Sequence, residues 1–132
     1  MKVLRISPRQ YPEVVEIDGA LESLQKEVGG PIQAVYPWDD PVALICNEEA
    51  KVNRFQLEDM NRVLLDSFGC PYDVIVGTFL IVGLTEDDFG SLNEKLLAKF
   101  EALFHLPVTF QYTNGGKTLK ASEYNPEKDG AK

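Results

Sequence analysis

The longest apolar run, Asp73-Val74-Ile75-Val76-Gly77-Thr78-Phe79-Leu80-Ile81-Val82, constrains the fold more than any other segment. It is β-branched and far shorter than the roughly 20 residues a membrane helix needs, so it reads as a strand buried on both faces at the centre of a sheet. Gly77 within it marks a bulge or a close packing contact. The other elements have to cover this strand.

Before it, Val3, Leu4 and Ile6 and then Val14, Val15 and Ile17 form two β-type runs, parted by a segment in which Pro8 and Pro12 break both helix and ladder. Asp18 is placed to cap a helix from about Ala20 to Val28, with Leu21, Leu24 and Val28 on one face and Gly29 at its end. Ile32 to Tyr36 and Val42 to Cys46 make a second hairpin around Pro37-Trp38-Asp39-Asp40-Pro41. Leu57, Met60, Leu64 and Phe68 recur at intervals of three and four, which predicts an amphipathic helix ending at Gly69. Ser91 and Glu94 fit a capping box for a helix carrying Leu92, Leu96, Phe100 and Leu103. Val108, Phe110 and Tyr112 alternate as a half-buried strand does, and Asn114-Gly115 signals a turn into a last hairpin using Thr118 to Ala121. The expected fold is therefore α+β, a mixed or antiparallel sheet of about five to six strands with three helices, in the order ββαββαβαβ. A chain of 132 residues is long enough for one core, so residues 1–124 are expected to form a single domain and residues 125–132 a mobile tail.

Charge and composition narrow the function classes. Thirteen basic residues against twenty-one acidic give a net charge of −8, a field that repels phosphate backbones and anionic headgroups, so direct nucleic-acid and membrane binding are disfavoured. Cys46 and Cys70 lack the spacing of a zinc site, and charge interrupts the N-terminal apolar residues before a signal-peptide core can form. These features point to a cytoplasmic protein with free thiols. No cofactor and no metal site is expected: neither Gly29-Gly30 nor Gly115-Gly116 has a phosphate-loop context, and His105, the single imidazole, sits where it complements a helix dipole. No nucleophile elbow is present, and no residue is assigned a catalytic role.

The candidate binding residues are Asn47, Glu48, Glu49, Lys51 and Asn53, which gather amide, carboxylate and ammonium groups just after a buried-type strand. A polar turn with solvated charges explains the same letters. Arg62 offers a planar fork to the same cleft, or else pairs with Glu58 and Asp66 on a solvated helix face. Trp38 is either an exposed anchor for a protein partner or a cover for the core edge.

Residues 14 to 92 carry a family pattern: Val15-Glu16-Ile17-Asp18-Gly19, Leu24-Gln25, Val28-Gly29-Gly30, Ile32-Gln33-Ala34-Val35, Cys46-Asn47-Glu48-Glu49, Lys51, Asn53, Asn61-Arg62, Asp73 to Thr78, and Asp88-Phe89-Gly90-Ser91-Leu92. This resembles a family of small uncharacterised bacterial and phage proteins, a domain of unknown function often carried on mobile elements. The resemblance implies a cytoplasmic accessory protein. A protein-binding module, with a DNA-mimicking version among its forms, is the leading class. The other class is a small-molecule-binding protein or small enzyme using the cleft near Glu48, Glu49, Asn53 and Arg62.

Overall fold

A computed structural model describes residues 1–127. The central sheet is antiparallel. Strands β1 (Lys2–Ile6) and β2 (Glu13–Glu16) form a hairpin, followed by helix α1 (Leu21–Val28), β3 (Ile32–Val35) and β4 (Val42–Asn47). A short 3-10 helix (Leu57–Asp59) leads into β5 (Met60–Leu65), β6 (Pro71–Val76), β7 (Phe79–Leu84) and the short β8 (Phe89–Gly90). Helix α2 (Glu94–Phe104) and the hairpin β9 (Val108–Thr113) and β10 (Thr118–Glu123) complete the described chain. The sheet order is β2-β1-β7-β4-β3, with β8 paired to the end of β7, while β5-β6 and β9-β10 are separate two-stranded sheets.

Both faces of the central sheet are covered, which explains why its strands read as continuous apolar runs. Alternation splits each strand between two clusters. Leu4, Ile6, Val42, Leu44, Phe79 and Ile81 meet Phe100 and Phe104 of α2 with Leu64 and Ile75 of the β5-β6 hairpin, while Val3, Ala43, Ile45, Leu80 and Val82 meet Leu24 and Val28 of α1. Met60, Val76 and Phe110 form a smaller cluster that seats the last hairpin.

The expectation of three helices and one sheet is overturned: among the described residues there are two α-helices and three antiparallel sheets. Residues 57–68 do not form the predicted helix. Met60 and Leu64 share a face in a helix, but here they lie in a strand whose register shift after Met60 puts them on opposite faces, Met60 with Val76 and Phe110 and Leu64 with Ile75 and Phe100. Burial decides between helix and strand, since Asn61 and Arg62 are 0% and 3% exposed, whereas Phe68, assigned to the apolar helix face, is 89% exposed. Nor is residues 73–82 one strand. Gly77 takes a φ of +81°, a left-handed conformation that favours glycine, and the run breaks there into β6 and β7 in different sheets. Two caps also differ. Asn93 caps α2 by accepting from the Leu96 amide, while Ser91 Oγ accepts from the Lys2 amide; Asp18 accepts from the Ala20 amide ahead of α1. Of the predicted tail, Asn125 accepts a hydrogen bond from Tyr11 Oη at 3.4 Å, and residues 128–132 lie outside the described residues.

Asn61 and Arg62 hold this arrangement together. A register shift in β5 between Met60 and Arg62 turns Asn61 inward, where its amide donates to the carbonyls of Ile6 and Gly77, both at 2.8 Å. Arg62 donates through Nε and Nη2 to the Phe104 carbonyl, through Nη2 to the Gln10 carbonyl at 2.7 Å, and through Nη1 to Asn61 Oδ1 at 2.9 Å. No carboxylate pairs with it among the described residues, and burial lowers its pKa to about 10, which leaves it charged at neutral pH. Each such bond to a charged donor contributes about 1.5–3 kcal/mol, and removing the donor leaves buried carbonyls unsatisfied. Arg62→Ala is expected to destabilise the fold by about 3 kcal/mol or more, and Arg62→Lys by somewhat less, because an ammonium still donates to some of these oxygens although it cannot span them all; urea denaturation measures both.

Candidate functional site

Two concave regions contain the sequence-predicted residues. The first follows β4. Asn47 Oδ1 accepts from the Glu49 amide at 2.8 Å, and the Val52 and Asn53 amides both donate to the Glu49 carbonyl, so the segment closes as a compact polar turn. Gly30 lies against the Asn47 side chain so closely that a Cβ there would sit 2.9 Å from its oxygen and nitrogen. A larger residue there would have to displace the Asn47 side chain. Lys51 reaches across to pair with Asp73 of β6.

Between the turn, β3 and β6 lies a cavity of about 130 Å³, lined by Gln33, Val35, Asn47, Glu48, Lys51 and Asp73 among others. The structure therefore brings Asn47, Glu48 and Lys51 together. Glu49, Asn53 and Arg62 are not among the lining residues; Glu49 and Asn53 are exposed and Arg62 is buried among backbone carbonyls. At roughly 30 Å³ per water the cavity is equivalent to about four waters, well below the roughly 300–1,000 Å³ of small-molecule sites. Cys46 borders it, and burial, reinforced by the nearby Asp73 charge, pushes its thiol pKa up. Asp73 was not singled out by sequence reasoning, because its contact with Lys51 joins residues distant in the chain and leaves no local pattern.

The second region is built around Trp38. Its ring tilts onto Phe100 at 4.7 Å between centroids and meets Phe104 edge-on at 5.9 Å. Trp38 is thus half-buried and covers the edge of the core. Next to it Lys99 Nζ donates to both Asp40 oxygens, at 2.7 and 2.9 Å, and this hydrogen bond holds the Asp40 carboxyl below its usual pKa. The 37–41 loop is tied to α2 by that ion pair and by ring packing.

Facing the loop is the turn between β5 and β6. Asp66 Oδ1 accepts from the amides of Phe68 and Cys70, both at 2.9 Å, and Gly69 takes a φ of +79°. This fixed turn holds Phe68 outward. Between loop and turn lies an open cleft of about 890 Å³, lined by Pro37, Trp38, Asp39, Asp40, Leu65, Asp66, Ser67, Tyr72 and Lys99. Leu65 is 52% and Tyr72 55% exposed. Sequence reasoning missed this exposed apolar group because it assigned Phe68 to the apolar face of a helix that does not form and singled out neither Leu65 nor Tyr72.

Among the described residues no group of three or more His, Cys, Asp or Glu side chains is arranged to hold a metal ion, and no helix is long and apolar enough to cross a membrane. His105 closes α2, donates through Nδ1 to Glu101 Oε2 at 2.7 Å and stacks on Tyr11.

Residues 1–105 match a domain of unknown function, DUF3846. The chain belongs to this family. The DUF3846 match ends one residue past α2, so the cavity and the cleft both lie within it and the β9-β10 hairpin lies beyond. No curated protein and no solved structure matches the chain.

The two free cysteines report on these regions separately, since Cys70 is exposed in the β5-β6 turn and Cys46 is buried beside the cavity. A disulfide-exchange dye at pH 8 is expected to label one thiol per native chain rapidly, with Cys70→Ser abolishing the fast phase and the second thiol reacting only on unfolding.

Proposed function

We propose that the chain is a protein-binding module, an accessory factor whose partner presents a basic face with an apolar side chain to the Trp38 cleft. The observation that carries this reading is the outward position of Phe68, 89% exposed on the Asp66-fixed turn beside the cleft; Phe68 is not itself a lining residue, whereas its neighbours Leu65 and Tyr72 are. A phenylalanine fully withdrawn from water contributes about 1.5–3 kcal/mol, which is available to association and not to this fold. Asp39 and Asp66 border the cleft, and Lys99, its single lysine, is already engaged by Asp40. With a net charge of −8, that edge attracts a basic surface. A nucleic-acid-binding protein is one such partner, and carboxylates placed where phosphates would lie give the DNA-mimicking form of the role. The family resemblance supports a bacterial accessory factor carried on mobile elements and acting in the cytoplasm.

Ligand binding or catalysis beside Glu48 is the weaker reading, because the cavity there is equivalent to only a few waters.

The test is a pull-down with tagged protein from a bacterial lysate, with and without nuclease. Wild type is expected to retain a basic protein in stoichiometric amount, and Phe68→Ser with Tyr72→Ser to lose it at an unchanged melting temperature. Retention that ignores both substitutions, or survives only without nuclease, contradicts the proposal.

A further inference from the structure

The central sheet has two outer edges. β2 is protected against further pairing by Glu13 and Glu16 on the strand. β3, the opposite edge, reads Ile32-Gln33-Ala34-Val35 and has neither charge nor proline within it. The Glu48 amide donates to the Pro31 carbonyl at 2.7 Å, which sets the alternation of the β3-β4 ladder. Gln33 and Val35 then bond toward β4, and the backbone N–H and C=O groups of Ile32 and Ala34 point away from it. Among the described residues nothing hydrogen-bonds to those outward groups. On the face of β3 carrying Gln33 and Val35, the cavity of about 130 Å³ is walled on its other side by Asp73, Ile75 and Val76 of β6.

From this edge and its adjoining cavity we propose a second binding site, in which an extended segment of another protein adds a strand to β3, places one aliphatic side chain in the cavity and directs a Lys or Arg toward Glu48. Strand addition draws affinity from main-chain hydrogen bonds and selectivity from pockets for alternate side chains, and the free amide groups and the cavity supply one of each. Four waters' worth of space suits a single aliphatic side chain. Charge chooses the occupant. Glu48 lines the cavity and Glu49 is exposed next to it, while the neighbouring cation, Lys51, is taken by Asp73. A second copy of this chain would bring an uncharged β3 and a further net charge of −8, with no cation for Glu48, so self-pairing is disfavoured. The site does not depend on the Trp38 cleft.

The probe is a displayed library of random decapeptides selected on the intact chain, with affinities measured by fluorescence anisotropy. Ala34→Pro removes an outward donor without removing a ladder hydrogen bond. Selected peptides are expected to combine an aliphatic residue with a nearby Lys or Arg, to bind about tenfold or more weakly to Ala34→Pro and a few-fold more weakly to Glu48→Gln at low salt, and to be indifferent to Phe68→Ser. Should Ala34→Pro fail to fold, hydrogen exchange on wild type decides the matter, since bound peptide must slow the Ile32 and Ala34 amides. An empty selection, unchanged exchange at those amides, or peptides lost with Phe68→Ser but not with Ala34→Pro overturns the proposal, the last of these leaving the cleft reading intact.

Discussion

A buried guanidinium whose partners among the described residues are all neutral oxygens organises this fold. Taking a charge out of water is costly unless its hydrogen bonds are replaced, and Arg62 replaces them with the carbonyls of Phe104 and Gln10 and the amide oxygen of Asn61. Those partners come from the end of α2, the loop after β1 and the bulge in β5. Asn61 extends the network to Ile6 and to Gly77. A single pair of adjacent side chains therefore fixes the β5-β6 hairpin against the layer formed by α2. Geometry, not apolar area alone, sets where the hairpin lies, since dispersion and burial are non-directional and carbonyl hydrogen bonds are not.

The position of the candidate cleft follows from that constraint. One wall is the 37–41 loop, held on α2 by Trp38 packing and the Lys99–Asp40 pair; the other is the β5-β6 turn, held internally by Asp66. Both walls rest on elements that Arg62 joins. The hairpin also supplies Asp73, Ile75 and Val76 to the cavity beside β3, so the two regions share a support while presenting different chemistry: an apolar and acidic open face, and a narrow pocket next to unpaired backbone.

The legibility of the sequence varied with how local the signal was. The first two hairpins, α1, α2 and the last hairpin were readable because their apolar periods and turn residues lie within each element. Residues 57–68 misled because the bulge after Met60 breaks the strand's alternation and leaves apolar residues at helix-like intervals, and because what favours the strand, Arg62 reaching Gln10 and Phe104, is a set of long-range contacts. Gly77 was legible as a point of irregularity but not as the boundary between two sheets, which depends on its left-handed backbone. At the site, Asn47, Glu48 and Lys51 were placed together by a short turn, as proximity in sequence suggests. Glu49, Asn53 and Arg62 do not line the cavity, Phe68 was hidden by the mistaken helix, and Leu65 and Tyr72 carried no local signal. Two explanations of Trp38 were open, and ring contacts with Phe100 and Phe104 make it a cover for the core edge that also walls the cleft.

Nitrogen-15 NMR of the arginine side chains at neutral pH tests the central claim most directly. The chain has four arginines, Arg5, Arg9, Arg54 and Arg62. The Arg62 Nε–H is predicted to give a sharp, slowly exchanging resonance with a coupling through its hydrogen bond to the Phe104 carbonyl, protected until the fold opens globally. An Arg62 signal that exchanges as fast as that of Arg54, with β5-β6 amides opening independently of α2, would contradict the account.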